Sequence, residues 1–278
     1  MIVVTGATGN VGRTLVRELV EAGEQVTAVS RGISAQDVPP GVRHLRADLA
    51  EPAGLEPAFD GADSLFVLTS GDFMATGGGG AALGEALDRA RAAGVRRVVL
   101  LSSQGVETLR HPSDLEDAVT ASGLEWTVLR PGAFDSNAFA WAGTIRAERV
   151  AAAPFGDVAL PAVDPDDIAA VAAVALREDG HGGRTYVLTG PAPVTPRQQV
   201  AAIADALGEP VRFVEQTRDE ARAQLLRFMP ERVADSTLDV LGTPSADEQR
   251  ARPDVERVLG RPAGSFAAWA ARNAAAFK

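Results

Sequence analysis

The sequence predicts an α/β fold: a doubly wound parallel sheet with helices on both faces and a small C-terminal α+β lobe. Three observations predict it. Strand-like and helix-like segments alternate from residue 2 to residue 131 at about the spacing of βαβ units. The runs 2–6, 63–70 and 95–103 are apolar almost throughout, as strands covered on both faces are. A glycine-rich turn, TGATGNVG at 5–12, joins the first strand to the first helix.

Each element follows from local chemistry. IVVTG (2–6) is a short β-rich run that stops at glycine. NVGRTLVRELVEAG (10–23) places apolar residues at 11, 15, 16, 19 and 20, a helical stripe, and stops at Gly23. QVTAVSR (25–31) and VRHLRAD (42–48) read as the second and third strands. LEPAFDGA (55–62) is a weak helix, and DSLFVLTS (63–70) a fourth strand. A Gly-rich loop at 71–80 gives way to a helix at 81–93, stopped by Gly94. VRRVVLLSS (95–103) is the fifth strand, 113–122 is helical, and LEWTVLRP (124–131) is the sixth strand. After 131 the rhythm loosens, and PGAFDSNAFAWAGTIRAERV begins as a loop and becomes helical. DPDDIAAVAAVALRE (164–178) is a strong helix with Asp164 or Asp166 as N-cap. RTYVLTG (184–190) is a further strand, and VRFVE a strand between helices at 195–207 and 216–229. A last helix ends near Ala276. One compact domain is expected, with a core at about 1–135 plus 155–190 and a substrate lobe at about 136–154 and 191–278.

Composition narrows the function. A net charge of −10 argues against a nucleic-acid backbone as ligand, which calls for a Lys/Arg-rich face. The absence of cysteine removes disulfides, thiolate catalysis and Cys-based zinc sites. No uninterrupted apolar run reaches the roughly 18 residues that a membrane span needs. With the first strand expected at the very N-terminus, no signal peptide is expected, and a cytoplasmic location is. The histidines at 44, 111 and 181 are scattered, so no metal is expected.

The turn at 5–12 carries the chemistry. Gly6, Gly9 and Gly12 form G-x-x-G-x-x-G between a strand and a helix, the context in which such a motif binds a dinucleotide. Gly6 permits the tight turn, Gly9 lets backbone approach a pyrophosphate, and Gly12 allows close packing. Exposed N–H groups around Asn10 and Val11, with Thr8 in the same loop, are placed to bind phosphate oxygens aided by the helix dipole. The second strand ends at Ser30-Arg31, where a carboxylate would bind a ribose hydroxyl and repel a 2′-phosphate. Arg31 instead favours NADP over NAD, or it is a solvated surface arginine. Asp48 and Leu49 end the third strand, within reach of an adenine edge and face. Thr69 and Ser70 end the fourth, near phosphates and the nicotinamide ribose.

TGATGNVG, the Arg after strand two, LSS at strand five, SGLEWTVLRPGAF (122–134), YVLTGP (186–191) and the tail DVERVLGRPAGSFAAWAARNAAAF together resemble the NmrA-like group of atypical short-chain dehydrogenases/reductases. The resemblance runs nearly end to end. It implies a Rossmann core, a bound dinucleotide and a smaller C-terminal lobe closing a cleft. It further implies that Pro131, Gly132 and Phe134 form a wall beside the nicotinamide, with Asn137 pointing into the cleft. Some members of the group are NAD(P)H-dependent quinone, azo or carbonyl reductases. Others bind dinucleotide without turnover and act as redox sensors.

A Tyr-x-x-x-Lys dyad, which supplies the proton in short-chain reductases, cannot form here. The single tyrosine is Tyr186, four residues before Gly190, and the only lysine is Lys278. Candidates near the cleft are Ser102, for the coenzyme, and Ser103, which either binds a substrate oxygen or merely caps a turn. His111 has a pKa suited to proton transfer near neutrality, or is simply solvated. Asn137 contacts substrate, or serves the turn. Glu116 is expected on a helix surface. Losing the dyad favours conjugated acceptors, because a reduced quinone is a stabilised anion that water can protonate. The expected function is an NADP(H)-dependent oxidoreductase for a hydrophobic conjugated carbonyl or quinone-type small molecule, with NAD as the alternative coenzyme. A non-catalytic dinucleotide sensor and an epimerase using coenzyme transiently are the alternatives. A homo-oligomer is compatible with each.

Overall fold

The computed structural model describes residues 1–69 and 79–278, so Ser70 and the glycine-rich segment 71–78 lie outside the described residues. Among the described residues the strands are, in chain order, β1 (Ile2–Thr5), β2 (Val26–Ser30), β3 (Arg43–Arg46), β4 (Ser64–Leu68), β5 (Arg97–Leu101), β6 (Glu125–Pro131), β7 (Val150–Pro154), β8 (Arg184–Leu188) and β9 (Arg212–Gln216). The chain divides into two compact units: Met1–Pro131, Pro165–Val187 and Val258–Gly260 form the first, and Gly132–Asp164, Leu188–Arg257 and Arg261–Lys278 the second. Against the expected core, the first unit pauses at Pro131 and resumes only at Pro165. The intervening stretch holds β7, whose partner is β9.

The first unit is built on a seven-stranded sheet of order β3-β2-β1-β4-β5-β6-β8. The pairings from β3 through β6 are all parallel. The Gly183 N–H donates to Trp126 and the Gly132 N–H to Leu188, so β6 and β8 also advance together. Strand order reverses beside β1, between β2 and β4, which makes the carboxyl ends of those strands the crevice of the fold. Val3, Leu65, Val67, Val98 and Leu100 enter one core with Leu83, Leu87, Leu115 and Val119 from the helices Gly79–Ala92 and Asp114–Ala121. Side chains alternate along a strand, so Ile2, Val4, Phe66 and Val99 face the other way, and they too are buried. The helices Asn10–Glu21 and Pro165–Arg177 pack on each other. In the first of them the buried residues are Val11, Gly12, Leu15, Val16 and Leu19, the stripe that the sequence predicts.

The second unit carries β7 and β9 as a two-stranded parallel sheet, in register from Val150 with Arg212 to Pro154 with Gln216. Its core joins Ile145, Ala151, Val200, Ile203, Phe266, Trp269 and Phe277. β7 is absent from the sequence reading, whose helical segment ends at Val150 and leaves 151–163 unassigned. The helix Ala142–Glu148 stops because Arg149 adopts φ +53°. Its backbone N–H caps Ile145, and its guanidinium donates to the carbonyls of Ile145 at 2.9 Å and Phe277 at 3.3 Å. These contacts overrule the helix preference of AAA. Helices at Glu231–Gly242 and Asp254–Leu259 were also not anticipated. Those at Pro196–Leu207 and Arg218–Leu225 open with capping boxes, Thr195 with Gln198 and Thr217 with Glu220. Among the described residues no helix is long and apolar enough to cross a membrane.

Candidate functional site

At the carboxyl end of β1 the chain makes the tight turn that the glycines predict. Gly6 sits at φ +62°, and a Cβ there would lie 2.6 Å from Leu68 Cδ2. A Cβ on Gly12 would meet the Gly6 carbonyl oxygen at 2.2 Å, so the first helical turn packs on the loop with no room for a side chain. Thr5 is buried and fastens β1 to β4: its hydroxyl donates to Phe66 O at 3.1 Å and accepts the Leu68 N–H at 2.9 Å. The helix Asn10–Glu21 begins at Gly9 with no side-chain cap. Gly9 has no side chain to compete for the helix's leading N–H groups, where the positive end of the helix dipole lies.

These elements line a groove of about 200 Å³. Gly6, Thr8, Gly9, Ser30, Arg31, Asp48 and Leu49, all expected there from sequence, share it. Thr5, Leu68 and Leu55 line it too and were missed; only the hydroxyl of Thr5 at a strand end could have signalled one of them. The Thr8 and Ser30 hydroxyls are 2.9 Å apart, tying the loop to β2. Asp48 accepts the Ala50 N–H at 3.0 Å, which fixes the turn after β3. Asn10 is exposed at the helix start, while Val11 and Gly12 are buried behind it. Thr69 is half-buried just past β4.

Beyond β5 the structure brings Ser103 and His111 together. The Ser103 hydroxyl accepts the Gly105 N–H at 3.0 Å as an N-cap and lies 3.1 Å from His111 Nδ1. So Ser103 does cap a turn, as one of its two readings held, and it contacts a histidine as well. A Cβ on Gly105 would lie 2.4 Å from His111 Nδ1, so a side chain there would push the imidazole out of this position. The N–H groups of Arg110 and His111 both return to the Gly105 carbonyl, at 2.8 and 2.9 Å, and Leu109 takes φ +60° to allow it.

Glu116 corrects an expectation. It is not on a helix surface but buried, 7% exposed. Both carboxylate oxygens engage Arg130, at 3.0 and 2.6 Å, and one accepts the Ser102 hydroxyl at 2.5 Å. The hydrogen bonds it donates to Glu116 hold the Arg130 guanidinium above its ordinary pKa. The Ser102 hydroxyl is thus spent within the protein. The sole tyrosine is likewise engaged, its hydroxyl 2.9 Å from His181 Nδ1.

The second unit encloses a larger cavity of about 520 Å³, which sequence reasoning did not find. Phe134, expected beside the nicotinamide, and Asn137, expected in the cleft, line it. So do Trp141, Phe155 and Leu238, together with Leu225, Phe228 and Met229 from one amphipathic stretch at and just after the end of the helix Arg218–Leu225. Pro131 is buried at the end of β6, and the Gly132 N–H is used by Leu188 at 3.0 Å. Of the two N-cap candidates, Asp164 pairs with Arg272, and Asp166 accepts the Thr14 hydroxyl at 3.1 Å.

A parallel sheet with an uncapped glycine loop at its switch point defines a dinucleotide-binding protein of the Rossmann type. Comparison with known proteins makes this specific. A family described as NAD(P)H-binding matches residues 6–179. The chain is 38% identical to a (4-alkanoyl-5-oxo-2,5-dihydrofuran-3-yl)methyl phosphate reductase of Streptomyces griseus, over 100% of this chain and 99% of that one. It is 34% identical to an NAD(P)H azoreductase of Xenophilus azovorans, over 100% and 99%. The structure of the NADPH-dependent quinone oxidoreductase QOR2 of Escherichia coli, complexed with NADPH, superposes with TM-score 0.80 at 25% identity, covering 98% of this chain and 99% of that one. The chain belongs to the NAD(P)H-binding family. It is an NAD(P)H-dependent reductase.

Proposed function

We propose that the chain reduces hydrophobic, conjugated carbonyl or quinone-type acceptors with NADPH and without a Tyr–Lys dyad. The groove at the ends of β1, β2 and β3 carries this reading, because Arg31 shares it with the glycine loop. The uncapped N–H groups after Gly9 would hold a pyrophosphate. Arg31 would hold a 2′-phosphate, and Asp48 and Leu49 an adenine edge and face. Pro131, Gly132 and Phe134 are assigned to the nicotinamide half by family resemblance, and Thr69 and Ser102 by their place at strand ends. When bound, the coenzyme supplies a hydride. The protein's own task is then to orient, desolvate and deliver a proton.

Ser103 and His111 have the chemistry for the proton. A hydroxyl 3.1 Å from an exposed imidazole can donate to a developing oxyanion and be reprotonated through the ring. Asn137 is proposed to orient the acceptor. The azoreductase and quinone oxidoreductase among the relatives support a conjugated acceptor. For the sensor and epimerase readings, the matching structures share the fold alone. The test is NADPH oxidation against a panel of quinones and conjugated ketones. Turnover above the protein-free rate is expected with quinones, and its absence across the panel, with NADPH bound, would overturn the reading.

A further inference from the structure

We propose that the cavity of the second unit selects neutral, oxygen-substituted aromatic acceptors through unpartnered side-chain amides and rejects anionic ones. The proposal rests on the reductase reading above. Its first ground is charge. Among the described residues, not one that lines the cavity carries a charge. An ionised group entering it would lose water and find no counterion, which is strongly unfavourable. An adjoining depression shares Ala152, Gln216 and Gln224 with the cavity and sets two carboxylates, Glu215 and Glu220, against one guanidinium, Arg227. Glu215 is already paired with Arg197, so the depression is close to neutral and offers a phosphate no net positive charge. The Streptomyces griseus relative is named for a phosphate ester, so the two proteins should differ in acceptor.

The second ground is the polar inventory. Asn137, Gln199, Gln216 and Gln224 line the cavity from four different elements. Among the described residues, none of these four amide side chains has a hydrogen-bond partner. The contrast is with Gln198, next to Gln199, whose amide closes the capping box with Thr195. Gln199 and Gln216 are half-buried and held by regular structure, one in a capped first helical turn and one at the end of β9 against Pro154. An amide offers one acceptor and two donors, so it reads hydroxyl and carbonyl oxygens equally well. The walls between the amides are apolar and aromatic: Phe134, Trp141 and Phe155 suit a flat ring. A few polar groups fixed in an apolar cavity of this size are what orient a small ligand.

Full-length protein saturated with NADP⁺, in which no reduction can occur, separates binding from turnover. The probes are 1,4-naphthoquinone, its 5-hydroxy derivative and its 2-sulfonate, titrated by calorimetry. The chain has no cysteine, so arylation of thiols by quinones does not intrude. The expected order is hydroxyquinone tightest, parent next, and sulfonate at least tenfold weaker than the parent. Gln199→Leu and Gln216→Leu, each checked for an unchanged melting temperature, should collapse the hydroxyquinone-to-parent preference. A sulfonate that binds as tightly as the parent overturns the proposal. So does a hydroxyl preference that survives both substitutions, or no binding of any probe. NADPH oxidation is followed in parallel. If the neutral quinones bind in this order but are not reduced, the reductase reading fails while the selectivity of the cavity stands.

Discussion

Replacing Gly12 with Ala tests whether the first helical turn and the loop before it form one rigid anion-binding unit. The added Cβ would lie 2.2 Å from the Gly6 carbonyl oxygen, 2.8 Å from its carbon and 2.9 Å from Ala7 Cα. All three are backbone atoms, so no side chain can swing aside. Restoring ordinary contact requires a retreat of about 1 Å. The helix resists it, because Leu15 and Leu19 are fully buried and it packs on Pro165–Arg177. The loop resists it too, because Thr5 holds β1 to β4. Overpacking of this kind costs about 1–3 kcal/mol. At roughly 2–4 °C per kcal/mol in a domain of this size, the melting temperature should fall by several degrees. Because the leading N–H groups move with the helix, NADPH affinity should fall by about tenfold or more, at 1.4 kcal/mol per decade. Gly9→Ala is the graded control: its Cβ would lie 3.3 Å from the same oxygen, and the effect should be smaller. Gly84→Ala is the opposite control, a helical site with nothing within 4 Å, where a gain of about 0.5–1 kcal/mol is expected. Thermal melts and coenzyme titrations on the three variants suffice. A Gly12→Ala protein with wild-type melting temperature and NADPH affinity would refute the reasoning.

Arg31→Ala should weaken NADPH much more than NADH, measured by titration of each; equal losses would remove the 2′-phosphate assignment. Glu116→Ala leaves the Arg130 guanidinium without its bidentate partner, and should cost about 3 kcal/mol in urea unfolding, the low end for a broken buried pair because Arg130 keeps 22% of its side chain exposed. An unchanged midpoint would show the pair to be ornamental. His111→Asn should lower turnover while leaving NADPH affinity intact, and equal turnover would dismiss the proton relay. The hydrogen bond from Arg222 holds the Asp235 carboxyl below its ordinary pKa. Its stabilising effect is therefore present above the ordinary carboxylate range and lost as pH falls through the depressed value. Asp235→Asn should flatten that acid limb in melts taken from pH 6 downward, and an identical limb would count against it.

Much of the first unit was legible because its signals are local. A doubly covered strand must be apolar along its length, and β1, β4 and β5 are. A turn at φ +62° on Gly6 and a carbonyl pressed against Gly12 both demand glycine, so the loop announces itself in the chain. Arg31 and Asp48 line the groove because they lie at strand ends, where ligands of such folds gather. Glu116 was misread because its helix looks polar. Its burial depends on Arg130, a residue on another strand that nothing in the local pattern links to it.

What the chain determines unaided, then, is the dinucleotide loop, the parallel sheet and the absence of a Tyr–Lys dyad, since each rests on residue identity and near-neighbour geometry. Tertiary structure alone decided three other things: that Ser103 meets His111, that Arg149 ends a helix to make room for β7, and that Asn137, Gln199, Gln216 and Gln224 face one uncharged cavity. Those depend on contacts between segments far apart in sequence, and periodicity carries no information about which distant faces will meet.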